Sequence, residues 1–132
     1  MQTPQTFLIV DDDIDDREML EEAIADLIQE VNCLNASNGF DALQLITTSS
    51  IVPCLIFLDL NMPKMNGFQF LEKFKTTQKF QHVPIVIYTT SSRPEDQKQS
   101  EKLGASHFMV KPSSPVRLKE ELEEIFIKLI II

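Results

Sequence analysis

Asp59 closes an apolar run, Cys54 Leu55 Ile56 Phe57 Leu58, and opens a turn that reads Leu60 Asn61 Met62 Pro63 Lys64 Met65 Asn66 Gly67. A carboxylate at the carboxyl end of a buried strand, above a turn bearing Pro and Gly, is placed for chemistry at a sheet edge rather than for packing. A second run, Phe7 Leu8 Ile9 Val10, delivers Asp11, Asp12 and Asp13 in the same manner. If the two strands are parallel neighbours, at least three like charges crowd into one small volume and demand a positive counter-charge. Oxygen-only ligands, few and open to solvent, suit a hard divalent cation that keeps several waters; Mg2+ is expected, with Mn2+ as a substitute.

Two further polar residues end strand-like runs. Thr89 follows Ile85 Val86 Ile87 Tyr88, and Lys111 follows His107 Phe108 Met109 Val110. A lysine can neutralise carboxylates and pair with phosphate as a point charge, and a threonine hydroxyl can donate to a phosphoryl oxygen. Neither histidine sits where it could pair with a nucleophile, since His82 falls in a loop and His107 at a strand start. Phosphoryl transfer tolerates that lack, because it asks mainly for positioning and charge stabilisation, and the Asp59 carboxylate is itself a competent nucleophile.

The elements that must hold these residues alternate from end to end. Strands are expected at Phe7 to Val10, Val31 to Ala36, Cys54 to Asp59, Ile85 to Thr89 and His107 to Val110. A first helix is expected over about Asp15 to Glu30, with Asp15 and Glu18 spaced as a capping box and Leu20, Ala23, Ile24, Leu27 and Ile28 as its apolar stripe. The second runs from Asn38 to about Thr48 with Phe40, Leu43 and Ile46 inward, and the third starts near Asn66 with Phe70, Leu71 and Phe74 on one face. Arg93 to Leu103 reads as an unusually polar helix, weakly anchored and therefore suited to movement, stopped by Gly104. The last helix, from about Ser114, carries Leu118, Leu122, Ile125 and Leu129 on one face and a largely acidic opposite face. Such alternation implies an α/β fold, a doubly wound parallel sheet with helices on both sides.

Size and charge narrow the function classes. At 132 residues a single domain is expected, with no separate output domain. With 20 Asp+Glu against 12 Lys+Arg, the formal charge of −8 disfavours direct DNA binding and anionic lipid surfaces. Cys33 and Cys54 share no metal-ligand spacing and read as reduced core residues of a cytoplasmic protein. No signal peptide is expected, and the apolar end, Ile125 to Ile132, is far below the roughly 20 residues of a membrane span.

In order, Asp11 Asp12, then Asp59 with Asn61 Met62 Pro63 and Gly67, then Thr89, then Lys111 Pro112 resembles the receiver domain of two-component response regulators, over about Thr6 to Leu129. The resemblance implies a flavodoxin-like (βα)5 fold of strand order 2-1-3-4-5, the order for which chemotaxis receivers are a standard example. It implies Asp59 as acceptor of a phosphoryl group from a histidine kinase or phosphotransfer protein. Asp12, the Asp59 carboxylate and the Asn61 backbone carbonyl would ligate Mg2+, with Asp11 outermost. Thr89 and Lys111 would bind phosphoryl oxygens, Lys111–Pro112 would be a cis peptide, and Phe108 would be the switch aromatic. Asn61, Thr90 and Ser91 stand where the family tunes the acyl phosphate, and Thr90 is bulkier than the small residue usual there. Phe108 lacks the hydroxyl of the more frequent Tyr, and Ser113 replaces an aromatic. Signalling would pass through the face of the fourth helix, fifth strand and fifth helix to a downstream protein target or a second copy of the chain.

Two other classes compete. Leu58 Asp59 Leu60 Asn61 is superficially similar to the acid-x-acid motif of haloacid dehalogenase phosphohydrolases, although its second acid is Asn61 and no cap insertion follows. A degenerate receiver that binds partners without phosphorylation would not need the acid pair, Asp59, Thr89 and Lys111 that this chain retains.

Overall fold

The computed structural model describes residues 5–129. Five strands, β1 (Gln5–Val10), β2 (Val31–Ala36), β3 (Leu55–Leu58), β4 (Ile85–Thr89) and β5 (His107–Val110), form one parallel sheet in the order β2-β1-β3-β4-β5. Between and after them come α1 (Ile14–Leu27), α2 (Gly39–Thr48), α3 (Gly67–Thr76), α4 (Pro94–Lys102) and α5 (Pro115–Leu129), with a short 3-10 turn at Gln78–Phe80. This is the flavodoxin-like arrangement expected from the sequence.

Period-two alternation along the strands sorts the core into two layers. Phe7, Ile9, Leu55, Phe57, Val86, Tyr88 and Met109 face one side, where Leu20 and Ile24 of α1 and Leu118, Leu122 and Phe126 of α5 cover them. Leu8, Val10, Ile56, Leu58, Ile85 and Ile87 face the other, under Ala42 and Ile46 of α2 and Phe70, Leu71 and Phe74 of α3. Both faces are thus sealed, and the edge formed by the strands' carboxyl ends is left for chemistry.

Four local expectations need correction. The first helix begins one residue earlier than the expected Asp15, capped by Asp13, whose side chain accepts from the Asp16 amide at 3.1 Å, and it ends at Leu27, well before Glu30. Asp13 precedes the helix in extended conformation, which is what a cap requires, whereas Asp15 already lies in the first turn. Phe40 is 54% exposed rather than inward, because Ala42 and Ile46 occupy the buried face of α2. Cys54 and Asp59 flank β3 rather than belonging to it. The Lys111–Pro112 bond is trans, the form X–Pro bonds favour unless tertiary contacts select otherwise, and the described residues contain no cis peptide. Ile130 to Ile132 of the apolar tail lie outside the described residues.

Other readings hold. Asn66 caps α3 in a capping box with Gln69, Gly104 stops α4 with φ of 105°, and Ser100 is the one buried residue of the polar α4.

Candidate functional site

Strand register builds the site. Val10 pairs with Leu58, so the next residues, Asp11 and Asp59, leave adjacent strand ends side by side; the Asp59 amide donates to the Val10 carbonyl at 2.9 Å. On the other side of β3, Leu58 pairs with Ile87, and Thr89 pairs with Val110, which delivers Lys111 to the same rim. The Lys111 amide donates to the Thr89 carbonyl at 2.7 Å. The turn after Asp59 returns at Gly67, where a Cβ would lie 2.4 Å from the Asp59 carbonyl oxygen and 2.8 Å from Leu60 Cα. Only glycine permits that approach. Met62 and Met65 are half-buried and pack against the adjacent core layer, as flanking cover for the turn.

Asp11, Asp12 and Asp59 each present a carboxylate oxygen within 4.8 Å of the others. Asp11 and Asp59 are buried and Asp12 is exposed, so the cluster opens to solvent on one side. Lys111 Nζ lies 2.7 Å from Asp11 Oδ2, 2.7 Å from Asp16 Oδ2 and 3.2 Å from Asp59 Oδ2. Its contacts with Asp16 and Asp59 are hydrogen bonds, and the buried Asp11 Oδ2 meets the ammonium as an ion pair. Asp11 Oδ1 accepts from the Asp13 amide at 3.0 Å, and Arg17 Nη1 donates to the Asp11 carbonyl at 2.6 Å.

Electrostatics follow from this crowding. Burial pushes the Asp11 carboxyl up to about 6, against the lowering effect of Lys111 and the Asp13 amide. Burial works the other way on the Lys111 ammonium, but the adjoining carboxylates of Asp11, Asp16 and Asp59 outweigh it and hold the ammonium above its ordinary range. Lys111 also lies 5.4 Å from the centre of the Tyr88 ring, and burial raises that phenol to about 12. An all-oxygen donor set of three converging carboxylates, one of them open to solvent, fits a hard divalent cation.

The remaining residues named from sequence are placed unevenly around this cluster. Thr89 is fully buried and its Oγ1 accepts from the Ser91 amide at 3.2 Å. Ser91 is turned to α4, donating to Asp96 Oδ2 at 2.6 Å and accepting from the Arg93 amide. Asn61 and Thr90 are exposed, and the Asn61 amide points to Asp59 Oδ1 at 3.4 Å. Phe108 is half-buried and packs in the layer that contains Leu103 and Ala105. Asp16, Arg17 and Tyr88 contact the cluster or its lysine without having been singled out from sequence. Asp16 was hidden in an acidic run where helix starts are ordinarily acidic, and Tyr88 in an apolar strand.

The fold and the rim define a receiver-type signalling module rather than a conventional enzyme pocket. The family model for the response regulator receiver domain matches residues 7–123, and the chain belongs to that family. It is 33% identical over 118 residues to a chemotaxis protein CheY homolog of Campylobacter jejuni, covering 89% of each chain. The chemotaxis response regulator CheY4 of Vibrio cholerae superposes with a TM-score of 0.79 at 29% identity, over 93% of this chain and 99% of that one. The Mn(2+)-bound form of response regulator Rcp1 gives 0.83 at 25% identity, covering 93% and 92%. Membership places this chain among the receiver domains of two-component signalling rather than among the haloacid dehalogenase hydrolases. Among the described residues no helix is long and apolar enough to cross a membrane.

Proposed function

We propose that Asp59 receives a phosphoryl group from a phosphohistidine of a histidine kinase or phosphotransfer protein, with Mg2+ as the physiological cation. The observation that carries the reading is the convergence of Asp11, Asp12 and Asp59 oxygens within 4.8 Å, with Lys111 Nζ 3.2 Å from Asp59. Asp12, Asp59 and the Asn61 carbonyl would hold the cation, with Asp11 outside them; once bound, it supplies positive charge against which the phosphoryl oxygens are neutralised. The Mn(2+)-bound state of the similar regulator Rcp1 supports an ion of this class.

The transfer balances without a general base. An Asp59 carboxylate oxygen attacks phosphorus, an O–P bond forms, the P–N bond breaks, and the electron pair stays on the leaving imidazole nitrogen. Lys111 exchanges its bond to Asp59 for one to a phosphoryl oxygen. The Thr89 hydroxyl accepts from Ser91 and so keeps its own proton free to donate to another phosphoryl oxygen. Displacement of Thr89 toward the phosphoryl group and of Phe108 inward would reshape the face of α4, β5 and α5, where a downstream protein or a second copy would dock. The poor burial of α4 supports that surface as the yielding one. Asn61 follows Asp59 by two residues and Thr90 and Ser91 follow Thr89, and the three would set the lifetime of the acyl phosphate. The formal charge of −8 supports a protein target rather than DNA, for a receiver that would act in the cytoplasm.

Incubation with Mg2+ and acetyl phosphate is expected to add one phosphoryl group per chain, detected by intact mass, and Asp59→Asn is expected to abolish it. Beryllofluoride with Mg2+ is expected to move amide resonances at Asp59, Thr89 and Phe108. A wild-type chain that shows neither response is a phosphorylation-independent binding module instead.

A further inference from the structure

We infer that Asp16 is a positioning residue for Lys111, the carboxylate that retains the lysine when the cation takes its other partners. This rests on the proposed metal and phosphoryl chemistry and adds a residue to it. Lys111 Nζ has three carboxylate neighbours, and two of them, Asp11 and Asp59, belong to the oxygen cluster that would face a cation. Asp16 does not belong to that cluster, yet its Oδ2 accepts from Lys111 at 2.7 Å, closer than the 3.2 Å to Asp59.

A cation held by Asp59 directly and by Asp11 from outside would draw on two of the ammonium's three counter-charges. Asp16 is the one left to hold it at the rim, where a phosphoryl oxygen arrives. Without Asp16, the ammonium has only the cation's own ligands to lean on and competes with the cation for them. The side chain of Asp16 is 31% exposed against 8% for Lys111, so the clamp sits on the solvent side and is partly screened.

Local structure fixes the clamp. Asp13 accepts from the Asp16 amide and its own amide donates to Asp11, so a single helix-start turn sets both the acid loop and the residue that reaches across to the end of β5. The plain alternative is that Asp16 is an ordinary acidic residue favouring a helix N-terminus. Asp15, exposed in the same turn and outside the Lys111 contacts, shares that property and the same charge.

Mg2+ titration by calorimetry separates the two. Asp16→Ala is expected to weaken Mg2+ binding about fivefold beyond Asp15→Ala, the scale of one partly exposed charge-assisted hydrogen bond. In a Lys111→Ala background that excess is expected to vanish, because Asp16 acts through the lysine. Without metal, Asp16→Ala is expected to shift the ring resonances of Tyr88, the chain's single tyrosine, and Asp15→Ala is not. Wild-type binding with equal losses in the two variants overturns the positioning role alone, as does an excess that survives in Lys111→Ala. A wild type that binds no Mg2+ overturns the metal reading and this role with it.

Discussion

Asp11 shows how one buried carboxyl can trade stability for binding. Its folded-state pKa of about 6 lies above the ordinary carboxylate range because burial outweighs the attraction of Lys111. Between pH 4 and 6 the folded metal-free protein therefore holds more protons on this group than the unfolded chain does. The contribution of Asp11 to stability falls as pH rises through that window and is a net cost at neutrality. Asp11→Asn is expected to raise the metal-free unfolding free energy at pH 7, measured by urea denaturation, and to weaken Mg2+ binding at the same time. A variant less stable than wild type at pH 7 would contradict this account of the site's charge. His107 has the opposite sign of effect, since burial and then the nearby Lys128 charge lower its pKa. Its contribution to stability is expected to be lost as pH falls below its ordinary value near 6.5, and His107→Gln is expected to flatten that part of the stability profile.

At the scale of elements, the turn from Asp59 to α3 is the least substitutable part of the chain. A methyl group at Gly67 would lie 2.4 Å from the Asp59 carbonyl, and the obstacle is backbone, which cannot swing aside as a side chain could. Gly67→Ala is expected to cost about 1–3 kcal/mol of stability by chemical denaturation and to slow phosphorylation of Asp59, because the relieving shift moves the peptide that carries it. The capping box at Asn66 is a milder handle: Asn66→Ala is expected to cost about 1 kcal/mol while leaving the strand ends in place. The helix α4 stands at the other extreme. Its buried side is reduced to Ser100, whereas α3 buries Phe70, Leu71 and Phe74. Amide exchange in α4 is expected to be faster than in α3 in the metal-free protein; equal protection would remove α4 as the yielding element.

For the whole molecule, what the sequence made legible depends on how many residues carry the same signal. The parallel sheet and its two-layer core follow from five apolar runs that alternate with amphipathic ones, so no single misread residue could alter them, whereas the strand order came from the resemblance to receiver domains. The convergence of Asp11, Asp12, Asp59 and Lys111 was legible because each lies within two residues of a strand's carboxyl end, and parallel strands put such residues on one edge. Phe40 was misread because its spacing suits either face of a short helix, and only packing against the sheet shows that Ala42 and Ile46 are the inward pair. Asp16 escaped notice because its partner lies 95 residues away, a contact that needs the last strand in place.

That distance makes the rim a meeting point of the whole chain, and the proposed cation tests it globally. Asp11 and Asp12 follow β1, Asp59 follows β3 and Lys111 follows β5, so a site formed by all three exists only in the folded protein. A ligand that binds the folded state alone stabilises it by mass action, by about 2.7 kcal/mol at one hundred times its dissociation constant. Mg2+ at that level is expected to raise the urea midpoint of the wild type accordingly, with an unchanged m-value. Asp12→Ala is expected to lose nearly all of the increment, because Asp12 is the exposed member of the cluster and its removal leaves the metal-free core intact. An increment that persists in Asp12→Ala would place the ion elsewhere on this acidic surface, away from the carboxyl edge of the sheet.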